Sequence, residues 1–136
     1  MGLLVDGVWQ QDGVRTKDGQ FIRPSSSFRN WVTPDGAAGP SGKAGFAAEA
    51  GRYHLYVALA CPWAHRTVIF RKLKGLENVI SMSTVSPDML KDGWTFNKDE
   101  GSSGDDINGK SKMSEIYVLA DPKYTGRVSV PVLWDK

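Results

Sequence analysis

The chain has 136 residues, enough for one domain with a modest core. Its 40% hydrophobic and 24% charged residues are ordinary for a globular protein and exclude wholesale disorder. A net charge of +2, with acids and bases interleaved, excludes the clustered basic footprint of a nucleic-acid binder.

A single cysteine, Cys61, excludes an intramolecular disulfide framework and fits a reducing compartment. The start "MGLLVDGVWQQDG" lacks a basic region followed by a sustained apolar run, so it does not read as a secretory signal. No apolar run approaches 18 residues, and no transmembrane helix is expected. These features predict a soluble, cytoplasmic protein with neither membrane nor nucleic acid as partner.

Residues 1–50 are rich in turn-formers ("QDG", "KDG", "TPDG", "AAGPSGKAG"), punctuated by Trp9, Phe21, Phe28, Trp31 and Phe46. Such a segment cannot build a core, but each aromatic can anchor irregular chain onto one. It reads as an irregular N-terminal extension wrapped over the domain that occupies 51–136, with a possible hairpin between Val8 and Ile22. A mobile tail is the plainer alternative.

Residues 53–60 form an apolar, partly β-branched run between Gly51 and Pro62, the pattern of a buried strand. Pro62 suits the first turn of a helix, where its missing N–H costs nothing. Ile69, Leu73 and Leu76 recur at helical spacing, Lys72 and Lys74 sit near the negative end of the dipole, and Gly75 supplies a stop. Residues 78–85 read as a second strand, completing a βαβ unit with a parallel pair. Residues 86–112 form a long polar connection, of a length that is usually functional or disordered. A short helix over 114–120 ends at Asp121-Pro122. Residues 127–136 alternate like a strand containing Pro131, which marks a strand start, a bulge or a cis bond after Val130.

Cys61 is the residue with chemistry to explain. Free cysteine is often a small buried hydrophobe. Here it stands where a strand ends and a helix begins, beside N–H groups that lack intrahelical partners. An ordinary thiol is only a few per cent ionised at neutral pH. The helix dipole contributes ~0.3–1 kcal/mol toward an anion, and charge-assisted N–H bonds contribute ~1.5–3 kcal/mol each. Main-chain donors alone can therefore favour a thiolate. His65, four residues on, could act as a base but more simply packs, as does His54. One Cys and two His at these spacings match no zinc pattern, so no metal is expected. The motif is C-P-W-A rather than C-x-x-C, so any exchange partner is an external thiol, and the abundant one is glutathione.

The stretches "GRYHLYVALACPWAHR", "LKGLE", "DGWTF" and "GRVSVPVLWDK" closely resemble glutathionyl-hydroquinone reductases, the xi class of glutathione transferases. The resemblance covers roughly residues 21–136. It implies an α/β, thioredoxin-like N-terminal domain, followed in full-length homodimeric members by an all-helical domain. It implies that Cys61 attacks the glutathione sulfur of a glutathionyl-hydroquinone, forming a mixed disulfide that a second glutathione resolves. Glutathione is then the co-substrate and a glutathionyl-aromatic the substrate. By matched motif, Trp94 and Arg127 contact glutathione. Val130, before a cis Pro131, offers its backbone to the tripeptide as an added strand does.

On the same resemblance, the domain is incomplete at its C-terminal end and the helical domain is absent. The last strand is expected to be an unprotected edge. Activity from 136 residues alone is expected to be weak or nil. Two other readings stay open. One is a general monothiol, glutaredoxin-like transferase that removes glutathione from mixed disulfides. The other is a non-catalytic fragment acting through its open edge.

Overall fold

A computed structural model describes residues 2–11, 16–17, 20–21 and 25–136. Ile22, the expected far limit of a hairpin from Val8, lies outside the described residues. The chain opens with strands β1 (Leu3–Val5) and β2 (Val8–Gln10), paired antiparallel with Leu4 opposite Trp9. Two-residue strands β3 (Thr16–Lys17) and β4 (Gln20–Phe21) pair next. Pairing within the expected span is thus β3 with β4, whereas Val8 pairs backward with Val5.

The central sheet has the order β6-β5-β7. Its middle strand β5 (Tyr53–Val57) is buried along its whole length, which is why it reads as an unbroken apolar run. It pairs in parallel with β6 (Ser81–Thr84) and antiparallel with β7 (Val132–Asp135). Helix α1 (Pro62–Leu73) makes the crossover from β5 to β6. The βαβ unit expected from the sequence is present, within the thioredoxin-like arrangement.

Element limits differ from the expected ones for local reasons. β5 stops at Val57 because residues 58–61 fold into a turn, with the Cys61 N–H donating to the Ala58 carbonyl at 3.0 Å. β6 starts at Ser81 because Val79 and Ile80 donate back to the Leu76 carbonyl. β7 begins only after Pro131, which has no N–H to give a ladder. Gly75, at φ 65°, closes α1 with its N–H on the Lys72 carbonyl.

Leu55 and Leu133 face each other in register and, with Trp63, Phe70 and Ile80, line a groove of about 430 Å³ beside α1. α1 itself buries only Ala64. Of the expected apolar positions, Ile69 and Leu73 are exposed, as is Phe70, and Leu76 lies past the end of α1. Among the described residues β7 pairs only with β5, so its outer edge is open, as expected. Lys136 donates to the Arg52 carbonyl across this pair, so alternation turns the N–H and C=O groups of Leu133 and Asp135 outward.

On the opposite face of β5, Tyr56 is fully buried against Phe96, and its hydroxyl donates to Asp105 Oδ1 at 2.7 Å. Asp105 also accepts the N–H groups of Ile107, Asn108 and Lys110. Burial alone would raise the Asp105 carboxyl, but the Lys110 N–H, the Tyr56 hydroxyl and the other two N–H groups together hold it below its ordinary value. The turn over residues 105–110, within the polar stretch 86–112, is therefore organised around one carboxylate. Helix α2 (Met113–Ala120) follows and places Met113 and Ile116 in the same core. Arg52 clamps the far end of the sheet, donating from Nε and Nη2 to the two carboxylate oxygens of Asp135 at 2.6 and 2.7 Å.

His54 is structural. It is buried, Nδ1 lies 2.7 Å from Ser81 Oγ, and Nε2 has no partner among the described residues. Burial lowers its pKa; Asp105 opposes this, while Lys136 and Arg71 add to it. A histidine held neutral in the folded state stabilises fully above the ordinary value of 6.5, and that stability is lost as pH falls below it. The urea midpoint is expected to drop between pH 7.5 and pH 5.5, and His54→Gln is expected to flatten that slope.

Candidate active site

Cys61 is the N-cap of α1, with extended backbone (φ −93°, ψ 115°), and Pro62 opens the helix. The strand-turn-helix join raises the cysteine above the end of β5, and the thiol is half-buried rather than sealed in the core. Its neighbours are apolar in part, since it packs against the central cluster.

The expectation that the sulfur accepts main-chain capping bonds needs correction. Cys61 makes no side-chain cap, and Sγ instead lies 3.9 Å from the carbonyl oxygen of Val130. Toward a carbonyl, a cysteine side chain can act only as a weak S–H donor. Of the helix-start donors, Pro62 supplies none and the His65 N–H closes onto the Cys61 carbonyl at 2.9 Å. The N–H groups of Trp63 and Ala64 are left for an anion.

Val130 and Pro131 are joined by a cis peptide, and Val130 is buried. The structure thus brings together three candidate residues, Cys61, Val130 and Pro131, from the two sides of one sheet pairing. Arg127 stands earlier in the same α2–β7 connection as Val130 and Pro131, and Trp94 on a separate loop before α2. Trp94 is half-buried against the core, and its carbonyl accepts the first N–H of α2, from Met113, at 2.9 Å. Arg127 is half-buried, and its carbonyl accepts the hydroxyl of the buried Tyr124 at 3.1 Å. Burial first, then the neighbouring Tyr117 and Asp121, push the Tyr124 hydroxyl up to about 12, so it remains a donor at neutral pH. His65 is exposed. Trp63 is exposed too, with the Arg66 guanidinium 5.5 Å from its ring centroid.

Next to Pro131, a cavity of about 490 Å³ runs along the open edge of β7, lined by Phe28, Trp31, Ile116, Tyr117 and Trp134 among others. Cys61 does not line it. Among the described residues no group of three or more His, Cys, Asp or Glu could hold a metal ion. No helix there is long and apolar enough to cross a membrane.

Residues 60–136, which begin at the cysteine turn and run through the cis-proline strand, match the glutathione S-transferase N-terminal domain. The chain belongs to the glutathione transferase family. It is 58% identical over its whole length to the glutathionyl-hydroquinone reductase YqjG of Escherichia coli, and covers 42% of that protein. The glutathione-bound structure of YqjG superposes with a TM-score of 0.84 over 99% of this chain and 39% of that one, at 52% identity. A xi-class transferase from Natrialba magadii gives 0.81 at 48% identity, over 99% of this chain and 38% of its own. The chain thus spans about two-fifths of the length of these glutathione transferases. Their likeness takes in the cysteine turn and the cis-proline strand alike.

Sequence reasoning named Trp9 among the anchoring aromatics but did not single out Leu4 or Asp105. Asp105 had a signal, the Asx-prone "GDDING", in which a carboxylate can gather the next backbone N–H groups.

Proposed function

We propose that the chain carries the nucleophile of a glutathione-dependent reductase acting on glutathionyl-hydroquinones. The observation that carries this reading is the half-buried Cys61 sulfur at the start of α1, 3.9 Å from the backbone of Val130 before cis-Pro131. In the first step the Cys61 thiolate attacks the glutathione sulfur of the aryl thioether. A sulfur–sulfur bond forms, the carbon–sulfur bond breaks, and the aryl carbon takes a proton to leave as hydroquinone. In the second step a glutathione thiolate attacks the glutathione sulfur of the mixed disulfide. Glutathione disulfide leaves and the Cys61 thiolate returns.

The chain's own residues supply position and charge. The Trp63 and Ala64 N–H groups, at the start of α1, are the donors available to a sulfur anion there. Val130 offers its backbone for pairing with the tripeptide, while Trp94 and Arg127 supply a flat ring and a cation for its remainder. A reducing cytoplasm keeps the lone cysteine available.

The test is mass spectrometry of the intact chain after incubation with oxidised glutathione and, separately, with a glutathionyl-hydroquinone. One glutathione per chain is expected, removed again by reduced glutathione. A chain that stays unmodified by both, while its thiol alkylates only slowly, would sink the reading. An adduct from the disulfide alone would favour the monothiol transferase.

A further inference from the structure

We infer that the N-terminal hairpin β1–β2 is a positioning element that holds the two glutathione-contacting loops, those of Trp94 and Arg127, in register with each other. This rests on the reading just proposed for those two residues.

The hairpin touches one loop through the backbone edge of β1 and its turn, and the other through the Trp9 side chain on its face. Leu4 and Trp9 are cross-strand partners and so point to the same side. Leu4 is 1% exposed, and Trp9 packs against the core. From Trp9 the indole Nε1 donates to the Lys91 carbonyl at 3.1 Å. Its benzo ring also fills the space beside Gly93, where an added Cβ would come within 2.9 Å of it. Gly93 has φ 72° and immediately precedes Trp94. The turn that aims Trp94 is thus seated on the Trp9 ring.

From β1 the contacts run to the other loop. Leu4 and Gly126 exchange two backbone hydrogen bonds, each 2.9 Å, a short antiparallel bridge directly before Arg127. The Asp6 N–H donates to Thr125 Oγ1 at 2.8 Å and the Gly7 N–H to the Tyr124 carbonyl at 3.0 Å. Arg127 and Trp94 are 33 positions apart and sit in irregular chain, with no shared strand to fix their separation. Helix α2 links them in part, since its first N–H binds the Trp94 carbonyl and its end leads into the Arg127 loop. Besides α2, three hydrogen bonds from β1 and its turn, a returned bond from Gly126, and one ring from β2 tie the two loops together. A site needing both side chains at one ligand gains affinity when neither loop must be ordered on binding.

The experiment uses the whole chain with Trp9→Ala and Trp9→Phe. Two rates are followed at Cys61: adduct formation with oxidised glutathione across concentration, and alkylation by iodoacetamide, which needs only the thiol. In Trp9→Ala the half-saturating concentration of oxidised glutathione is expected to rise about tenfold, equivalent to ~1.4 kcal/mol. Alkylation should stay within about twofold, because a loss of binding does not touch the nucleophile. Trp9→Phe keeps the ring, loses the Lys91 bond and should fall between. Unchanged half-saturation in the folded alanine variant overturns the inference. So do two rates that fall in parallel, which would make the hairpin a general stabiliser. If the alanine variant does not fold, the phenylalanine variant decides by the same criteria. A wild type that forms no adduct overturns the proposed function and this inference with it, whereas one whose adduct rate never saturates overturns this inference alone.

Discussion

Cys61→Ser is expected to abolish the glutathione adduct and to lower any glutathione-dependent turnover by a factor on the order of 10³ or more, the scale seen when a covalent nucleophile is lost. The substitution keeps size and the N-cap position. Serine is a favourable N-cap, so helix α1 should not weaken and can even gain. That separates chemistry from folding: the variant's urea midpoint should equal or slightly exceed that of the wild type while the adduct disappears. Intact-mass spectra after exposure to oxidised glutathione check the first half, and urea titration the second. An adduct that survives in Cys61→Ser would remove the cysteine from the mechanism, because no other thiol exists in the chain.

Asp105→Ala is expected to lower stability by about 2–4 kcal/mol, from the loss of hydrogen bonds to a charged acceptor and the stranding of their donors. One carboxylate takes the Tyr56 hydroxyl and three backbone N–H groups. Alanine leaves the hydroxyl of a fully buried tyrosine without its acceptor, although Asn108 still donates to it at 3.0 Å. Asp105→Asn keeps an acceptor and loses the charge, so it should fall between. The same lowered carboxyl makes a pH prediction in the acid range. Its stabilisation is present above the ordinary value of 3.8 and is lost as pH falls through the folded-state value. Urea midpoints for the three proteins at pH 7 and under acid conditions test both statements. Equal midpoints at pH 7 would mean that solvent replaces the network freely.

The β5–α1–β6 unit was legible because its signals are local. A continuous apolar run, a proline at the first helical position and a glycine just past the last turn each act within a few residues. The same locality placed Cys61 at the helix start. Where the outcome depended on distant chain, the reading fell short. β1 and β2 have three residues each, and what orders β1 is its bridge to Gly126, over a hundred positions away. The exposure of Ile69 and Leu73 followed from what does not cover α1, which periodicity cannot report. The direction of the Cys61 sulfur likewise turned on a carbonyl 69 positions along the chain. As for the stretch around Asp105, polar composition is shared by loose connections and by carboxylate-centred ones, and only the position of one side chain separates them.

Leu133 has a double membership with a simple geometric result. It lines the channel at the free rim of the sheet and also the hollow beside α1. A segment laid against that rim would therefore meet the greasy flank of the helix at the same residue. Shielding one surface brings its visitor to the threshold of the other, because the two adjoin at a single leucine.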